Sequence, residues 1–345
     1  MRKTVANSLV VLMIVGLLVP LLAGCGPAPT PIVVEKEVPV EKKVVETVIV
    51  KKEVPIEKKV VETVIVEKEV LVPAPTPEPA LTIIDGAGRV VTIVGTPQRI
   101  VSIASAATET LYAIGCGDKI VGVDKYSDYP PEAQEKTKVG SGSQLDVETT
   151  LGLEPDLVIS WWFSRDAIKA LEDKGLTVLA INPKSVDGVL DTIRMLGLVT
   201  GHLDEAESLI AEMKARIDEV KARMKDIPKE DRPLVYYELT TPMKTTGPGT
   251  FTNELIFMAG GINIAAGEPI RYPVLSEEYI IEQSPDVIVV VSGGVSVEEI
   301  KGREGWQNIK AVLNDRVYTI DTHLVTSNPR IVEGLEQFAR WFHPE

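Results

Sequence analysis

One segment limits the fold more than any other. Asp204 to Asp226 runs through Ala, Glu, Lys and Met without a glycine or a proline. Leu209, Ile210, Met213, Ile217, Val220 and Met224 recur in it at helical spacing. A single helix of about 22 residues, roughly 33 Å long, is predicted, ending before Pro228. Strands and helices alternate on both sides of it. Before it, Thr82–Asp85 and Arg89–Ile93 form a small hairpin around Gly86-Ala-Gly88. Strands follow at Arg99–Ile103, Lys119–Val123, Asp156–Ser160 and Thr177–Ile181. Between them lie helices at Ala107–Ile114, with Ser105 placed to cap it, at Val147–Leu153 and at Ala167–Lys174. After the long helix come strands at Leu234–Leu239, Asp286–Val291 and Arg316–Ile320. The helices there are Asn253–Ala259, Tyr279–Gln283 and Pro329–Phe342. This alternation predicts largely parallel α/β sheets. Glu154-Pro-Asp-Leu-Val-Ile-Ser160 is echoed by Ser284-Pro-Asp-Val-Ile-Val-Val290, which favours two similar lobes. The expected fold class is α/β: two similar lobes joined by one long rigid helix.

From the N-terminus, a location outside the cytoplasm is expected for this fold. Arg2 and Lys3 precede an apolar run from Leu9 to Leu22, and Leu22-Ala-Gly-Cys25 closes it. That is the plan of a secretory signal peptide over residues 1–24. The ending resembles a bacterial lipobox, with Cys25 as the lipid-carrying first residue of the mature chain. An uncleaved transmembrane anchor is the alternative, since the run is almost long enough to span a bilayer. Residues 25–79 are expected to form a lipid-anchored stalk. EKEVPVEKKVVETVIV at 35–50 returns as KKEVPIEKKVVETVIV at 51–66, too few copies for a solenoid. Pro39 and Pro55 interrupt any long helix. The valine runs suit either short paired strands or short helices. Pro73 to Pro79 closes the stalk as a stiff joint. The expected lobes are then 80–202 and 228–345, with the bridging helix at 203–227.

Charge and motifs exclude several function classes. A net charge of −14 argues against nucleic acid as a partner. With Cys25 lipidated, Cys116 is left alone, so no intrachain disulfide is expected; it is read as a semi-buried thiol. There is no Gly-x-Ser-x-Gly elbow, phosphate-binding Walker loop or His-Glu-x-x-His. Neither enzymatic activity nor a cofactor is expected. His202 and His343 lie near helix ends, and three scattered histidines suit a metal site badly, so none is expected.

Binding is the more promising chemistry. Ligands of open α/β sheets sit outside the carboxyl ends of the strands. The loops there carry Ser105, then Tyr126 and Tyr129, then Trp161-Trp162-Phe163 in the first half. In the second half they carry Pro242 and Lys244, Arg271-Tyr272 and His323. The chain has 4 Trp, 8 Tyr and 5 Phe, yet five of these aromatics fall in two first-half loops. That density favours a flat or apolar ligand.

At these residues the chain resembles the solute-binding lipoproteins of ABC importers for cobalamin, iron-siderophores and haem. Within that group it looks most like the cobalamin-binding proteins. The resemblance rests on Arg99-Ile-Val-Ser-Ile103, Thr108-Glu109, Val123-Asp-Lys-Tyr-Ser-Asp-Tyr-Pro-Pro-Glu-Ala-Gln134 and Pro155-Asp-Leu-Val-Ile-Ser-Trp161. It implies that Tyr126 and Trp161 line a corrin cleft, with Ser105, Trp162 and His323 beside them. Pro242, Lys244 and Tyr272 are the matching C-lobe positions. Ser105 stands where the pattern often has proline, and Gly142 where a cobalamin binder can carry tryptophan. The resemblance also implies docking onto a membrane permease through one acidic residue on each lobe. Glu148 matches in the N-lobe. In the C-lobe Phe257 occupies the aligned position, and Glu254, one helical turn earlier, is the substitute. A monomer is expected, carrying cobalamin or a related corrinoid. The alternatives are a ferric siderophore or haem on the same fold. A lipid-anchored hydrolase and a structural stalk or adhesion protein are the rivals of other classes.

Overall fold

The computed structural model describes residues 46–50, 64–68 and 79–344. The expected signal segment, Cys25 and most of the expected stalk lie outside them. Within the stalk, the valine runs of the two repeats pair as strands. β1 (Glu46–Val50) lies antiparallel to β2 (Val64–Lys68), with Val48 opposite Val66 and Ile49 opposite Ile65. Among the described residues no helix is long and apolar enough to cross a membrane.

The first lobe begins with a hairpin, β3 (Ala80–Ile84) and β4 (Val90–Val94). Its turn is held by buried Asp85, which accepts from the amides of Ala87 and Arg89 and from the Arg89 guanidinium. The lobe continues through β5 (Ile100–Ile103), α1 (Ser105–Ala113), β6 (Ile120–Val123), α2 (Pro131–Gln134) and β7 (Thr137–Lys138). Then follow α3 (Val147–Gly152), β8 (Leu157–Trp161), α4 (Arg165–Glu172), β9 (Val178–Ile181) and α5 (Val186–Thr200). The sheet order is β7-β6-β5-β8-β9, parallel throughout. Every residue of β5 and β9 is buried, as expected for strands covered on both faces.

α6 (Leu203–Met224) is the unbroken 22-residue helix that the absence of glycine and proline predicts. Ala206, Ile210, Met213, Ile217, Val220 and Met224 form its buried stripe. Beyond it lie β10 (Leu234–Glu238), α7 (Phe251–Met258), β11 (Ile262–Asn263), α8 (Glu277–Gln283) and β12 (Val287–Val291). The chain ends with α9 (Val297–Gly302), α10 (Lys310–Leu313), β13 (Val317–Ile320) and α11 (Ile331–Phe342). The second sheet, β11-β10-β12-β13, is also parallel. The architecture is therefore α/β with two similar lobes and one bridging helix.

The Pro-Asp echo has a common physical role. Asp156, before β8, accepts the Gln98 and Arg99 amides at the entry to β5, the Arg99 contact at 3.0 Å. Asp286, before β12, accepts the Leu234 amide at the entry to β10 at 2.9 Å. Each carboxylate satisfies backbone donors at the amino end of an interior strand, ahead of its ladder.

Two local expectations change. Ser105 does not cap α1. It is already the first helical residue, and Ala104 occupies the cap position without a side-chain bond. The reading from sequence also passes over α5, whose Gly188 and Gly197 dilute the helical signal. Gly197 is there for packing: a Cβ at that position would stand 2.4 Å from the Ala206 Cβ of α6. Its absence lets the two helices approach closely, and Arg194 bonds Glu207 across them. The largest apolar cluster takes residues from α1, α5, α6, α7 and α11, so one core runs through both lobes. Arg216 of α6 adds a two-pronged bond to Glu336 of α11 at 2.8 and 2.9 Å.

Candidate functional site

The carboxyl ends of the two sheets meet over a cavity of about 450 Å³. The first lobe lines it with Ser105, Ala106 and Glu109 of α1, Trp161 at the end of β8, and Pro183 and Lys184 after β9. The second lobe contributes Phe251 and Thr252 at the start of α7, Arg271 and Tyr272, and the Thr322–Ser327 segment after β13. Four of the sequence-predicted ligand residues are thus brought together: Ser105, Trp161, Tyr272 and His323.

The other four are placed differently. Trp161 and Trp162 leave the strand on opposite sides, following the two-residue alternation of a strand. Trp161 packs toward the core shared with α6, and its ring stacks on Phe163 at 5.8 Å. Trp162 packs on the other apolar cluster of its lobe, with Ile168 and Val101, and does not line the cavity. Pro242 and Lys244 lie in a tight turn outside the cavity. There the Leu239 amide bonds the Lys244 carbonyl, and Lys244 bridges Val274. Tyr126 is 60% exposed, with the Lys125 ammonium 4.9 Å from its ring centre.

The loop carrying Tyr126 is firmly anchored. Ser127 donates to buried Asp124 at 2.6 Å, and Thr108 bonds both Ser127 and Ser102 at 2.9 Å. Burial pushes the Asp124 carboxyl up, while the Ser127 hydroxyl and amide draw it back. The same loop reaches the second lobe. Asp128 stands 3.7 Å from the His323 ring, and Arg330 lies 3.8 Å over the Tyr129 ring centre.

Beneath that contact, Arg330 makes a forked bond to Glu109, at 2.8 and 3.1 Å. Glu109 belongs to α1 and is 7% exposed; Arg330 stands at the entry to α11. The Asn328 amide adds a longer contact to Glu109 at 3.4 Å. Burial raises the Glu109 carboxyl, against the opposing pull of the Arg330 guanidinium. The sequence reading does not pair these two residues across the lobes. The available signal was a glutamate inside the apolar helix Ala106–Leu111, since a buried carboxylate requires a partner.

The two expected docking carboxylates differ in their surroundings. Glu148 is exposed in the first turn of α3, which Asp146 caps through the Thr149 amide. Glu254 faces inward: it accepts the Val186 amide at the start of α5, 3.0 Å away. Burial raises its carboxyl. Phe257, one turn on, is the exposed residue of that helix face, at 68%. The Cys116 thiol is free and buried, and burial pushes it up. Among the described residues, no three His, Cys, Asp or Glu side chains gather to hold a metal ion.

Two parallel α/β lobes on one helix, with a cavity between their strand ends, form the frame of a solute-binding protein. The chain belongs to the periplasmic binding protein family, whose model matches residues 100–324. It is 37% identical over 273 residues to an uncharacterised ABC transporter substrate-binding lipoprotein of Bacillus subtilis, covering 77% of this chain and 86% of the relative. A cobalamin-binding protein of Halobacterium salinarum is 34% identical over 274 residues, covering 75% of this chain and 73% of its own. Among solved structures, the periplasmic vitamin B12 binding protein of Vibrio cholerae superposes with a TM-score of 0.62 at 29% identity. That match covers 71% of this chain and 96% of the other. A periplasmic haem-binding protein from Roseiflexus superposes equally well, with a TM-score of 0.62 at 29% identity, covering 72% and 98%. Substrate-binding proteins of ABC transporters hand a captured solute to a membrane permease, and this chain is of that class.

Proposed function

We propose that this protein is an extracytoplasmic lipoprotein, anchored through Cys25, that captures cobalamin or a related corrinoid for an ABC importer. The observation that carries the reading is the inter-lobe cavity with Trp161 on one wall and Phe251 and Tyr272 on the other. Aromatic faces on opposing walls suit a flat macrocycle. Relatives named for cobalamin and vitamin B12 support the same ligand. Ser105 and His323 are assigned to its edge. Tyr126 is assigned to its outer side, because its loop touches the second lobe at Arg330 and His323. No chemical step follows: the protein binds, retains and releases.

Docking onto the permease is assigned to Glu148 in the first lobe. Glu254 is engaged with α5 and is the weaker candidate for the second. The protein is proposed to act as a monomer. Haem is the second reading, favoured by the Roseiflexus structure. Tryptophan fluorescence and visible absorbance during titration with cyanocobalamin, haemin and a ferric siderophore decide between them. Saturable binding of cyanocobalamin, tighter than either competitor, is the expected result. Binding of haemin alone would replace the corrinoid reading with the second one.

A further inference from the structure

We infer that the ligand carries an anionic group, a phosphodiester or a carboxylate, held at the end of the cavity where Lys184 and Arg271 stand. This rests on the proposed macrocycle reading and specifies the ligand's charge. The two cations come from opposite lobes. Lys184 follows β9, the outer strand of the first sheet, and Arg271 precedes Tyr272 in the second lobe. The start of α7 lies beside both: Phe251 and Thr252 line the cavity, the Arg271 carbonyl accepts the Gly247 amide three residues before the Thr250 cap, and Glu254 accepts the Val186 amide two residues after Lys184.

The other charged groups of the cavity are matched. Glu109 is bonded to Arg330, and His323 lies beside Asp128. Among the described residues neither Lys184 nor Arg271 has a carboxylate within ion-pair distance. The Arg271 guanidinium lies 5.8 Å from the ring centre of its neighbour Tyr272. The nearby carboxylates of Asp187 and Glu254 line a separate groove against α6.

Two unmatched cations in one cavity stand out on a chain of net charge −14. The surrounding acidity repels anions in general, so a local positive end selects a ligand whose anion is fixed to an apolar body.

The test compares three probes on the full-length protein and its Lys184→Gln, Arg271→Gln double variant. Dicyanocobinamide has the corrin and amides but no phosphodiester. Cyanocobalamin adds the phosphodiester. Haemin carries two carboxylates on a different macrocycle. Both replaced side chains are exposed, so the variant is expected to melt with the parent. The expected result is that the variant weakens cyanocobalamin by about tenfold and dicyanocobinamide by less than about twofold. If only haemin binds, and the variant weakens it likewise, the corrinoid reading fails while the anionic end stands with carboxylate as its source. If cyanocobalamin binds but the variant leaves it unchanged, the anionic end is overturned and the corrinoid reading survives. Binding of none of the three overturns both.

Discussion

Replacing Arg330 with methionine tests how the lobes are held. The change leaves Glu109 buried with the Asn328 amide, at 3.4 Å, as its remaining hydrogen-bond contact. Stranding a buried carboxylate costs about 3–5 kcal/mol. Two features favour the low end: Arg330 keeps some contact with solvent, and Glu109 can take up a proton. A loss of about 3 kcal/mol is expected, which is a fall in melting temperature of roughly 6–12 °C for a folded part of this size. The loss should depend on pH. Burial already holds the Glu109 carboxyl above its ordinary value, and removing the guanidinium raises it further. A folded-state value above the unfolded one means that protonation favours the folded state. The deficit should therefore be smallest in acid and grow as pH rises through the raised value. Circular dichroism melts at about pH 5 and about pH 8 measure it. A Glu109→Gln, Arg330→Met double variant, with no charge left to strand, should recover to within about 1 kcal/mol of the parent. A single variant that melts with the parent at both pH values, or whose deficit shrinks as pH rises, would refute the reasoning.

Other outcomes follow from the same geometry. Trp161→Ala should weaken cyanocobalamin binding by about 1–3 kcal/mol, about 5- to 150-fold in Kd by titration. Trp162→Ala should instead lower the melting temperature and leave Kd nearly unchanged, because its ring packs on the Ile168 cluster. Glu254 is held above its ordinary value by burial, so its carboxylate disfavours the fold once ionised. The parent should accordingly lose stability relative to Glu254→Gln as pH rises from acid to neutral in chemical denaturation. Glu148→Ala should leave ligand affinity intact but slow permease association, more so at low salt. Normal association kinetics would move docking to another surface.

Much of the fold was legible because its signals are local. The long helix needed only apolar spacing and the absence of glycine and proline. The parallel strands needed only runs such as Val287–Val291, buried throughout. The Pro-Asp echo marked equivalent points in both lobes before the bonds of Asp156 and Asp286 could be seen. α5 was missed because Gly197, unfavourable for an isolated helix, is required by its contact with Ala206.

The site was less legible because it is assembled from both lobes. Loop position marked Ser105, Trp161, Tyr272 and His323 for the strand ends. It could not show that Trp162 turns the other way, or that the Lys244 backbone is paired in a turn. Glu109 and Arg330 lie 221 residues apart, and only the folded chain brings them together. Helical spacing from Phe257 points to Glu254, and spacing alone does not reveal that the Val186 amide claims it.

The central claim is capture of a corrin between the lobes, and a crystal structure with cyanocobalamin tests it most directly. The account predicts the macrocycle in the inter-lobe cavity, against Trp161 and Tyr272, with its phosphodiester toward Lys184 and Arg271. A cavity filled only by solvent, or a corrin seated elsewhere, such as beside exposed Phe257, would contradict it.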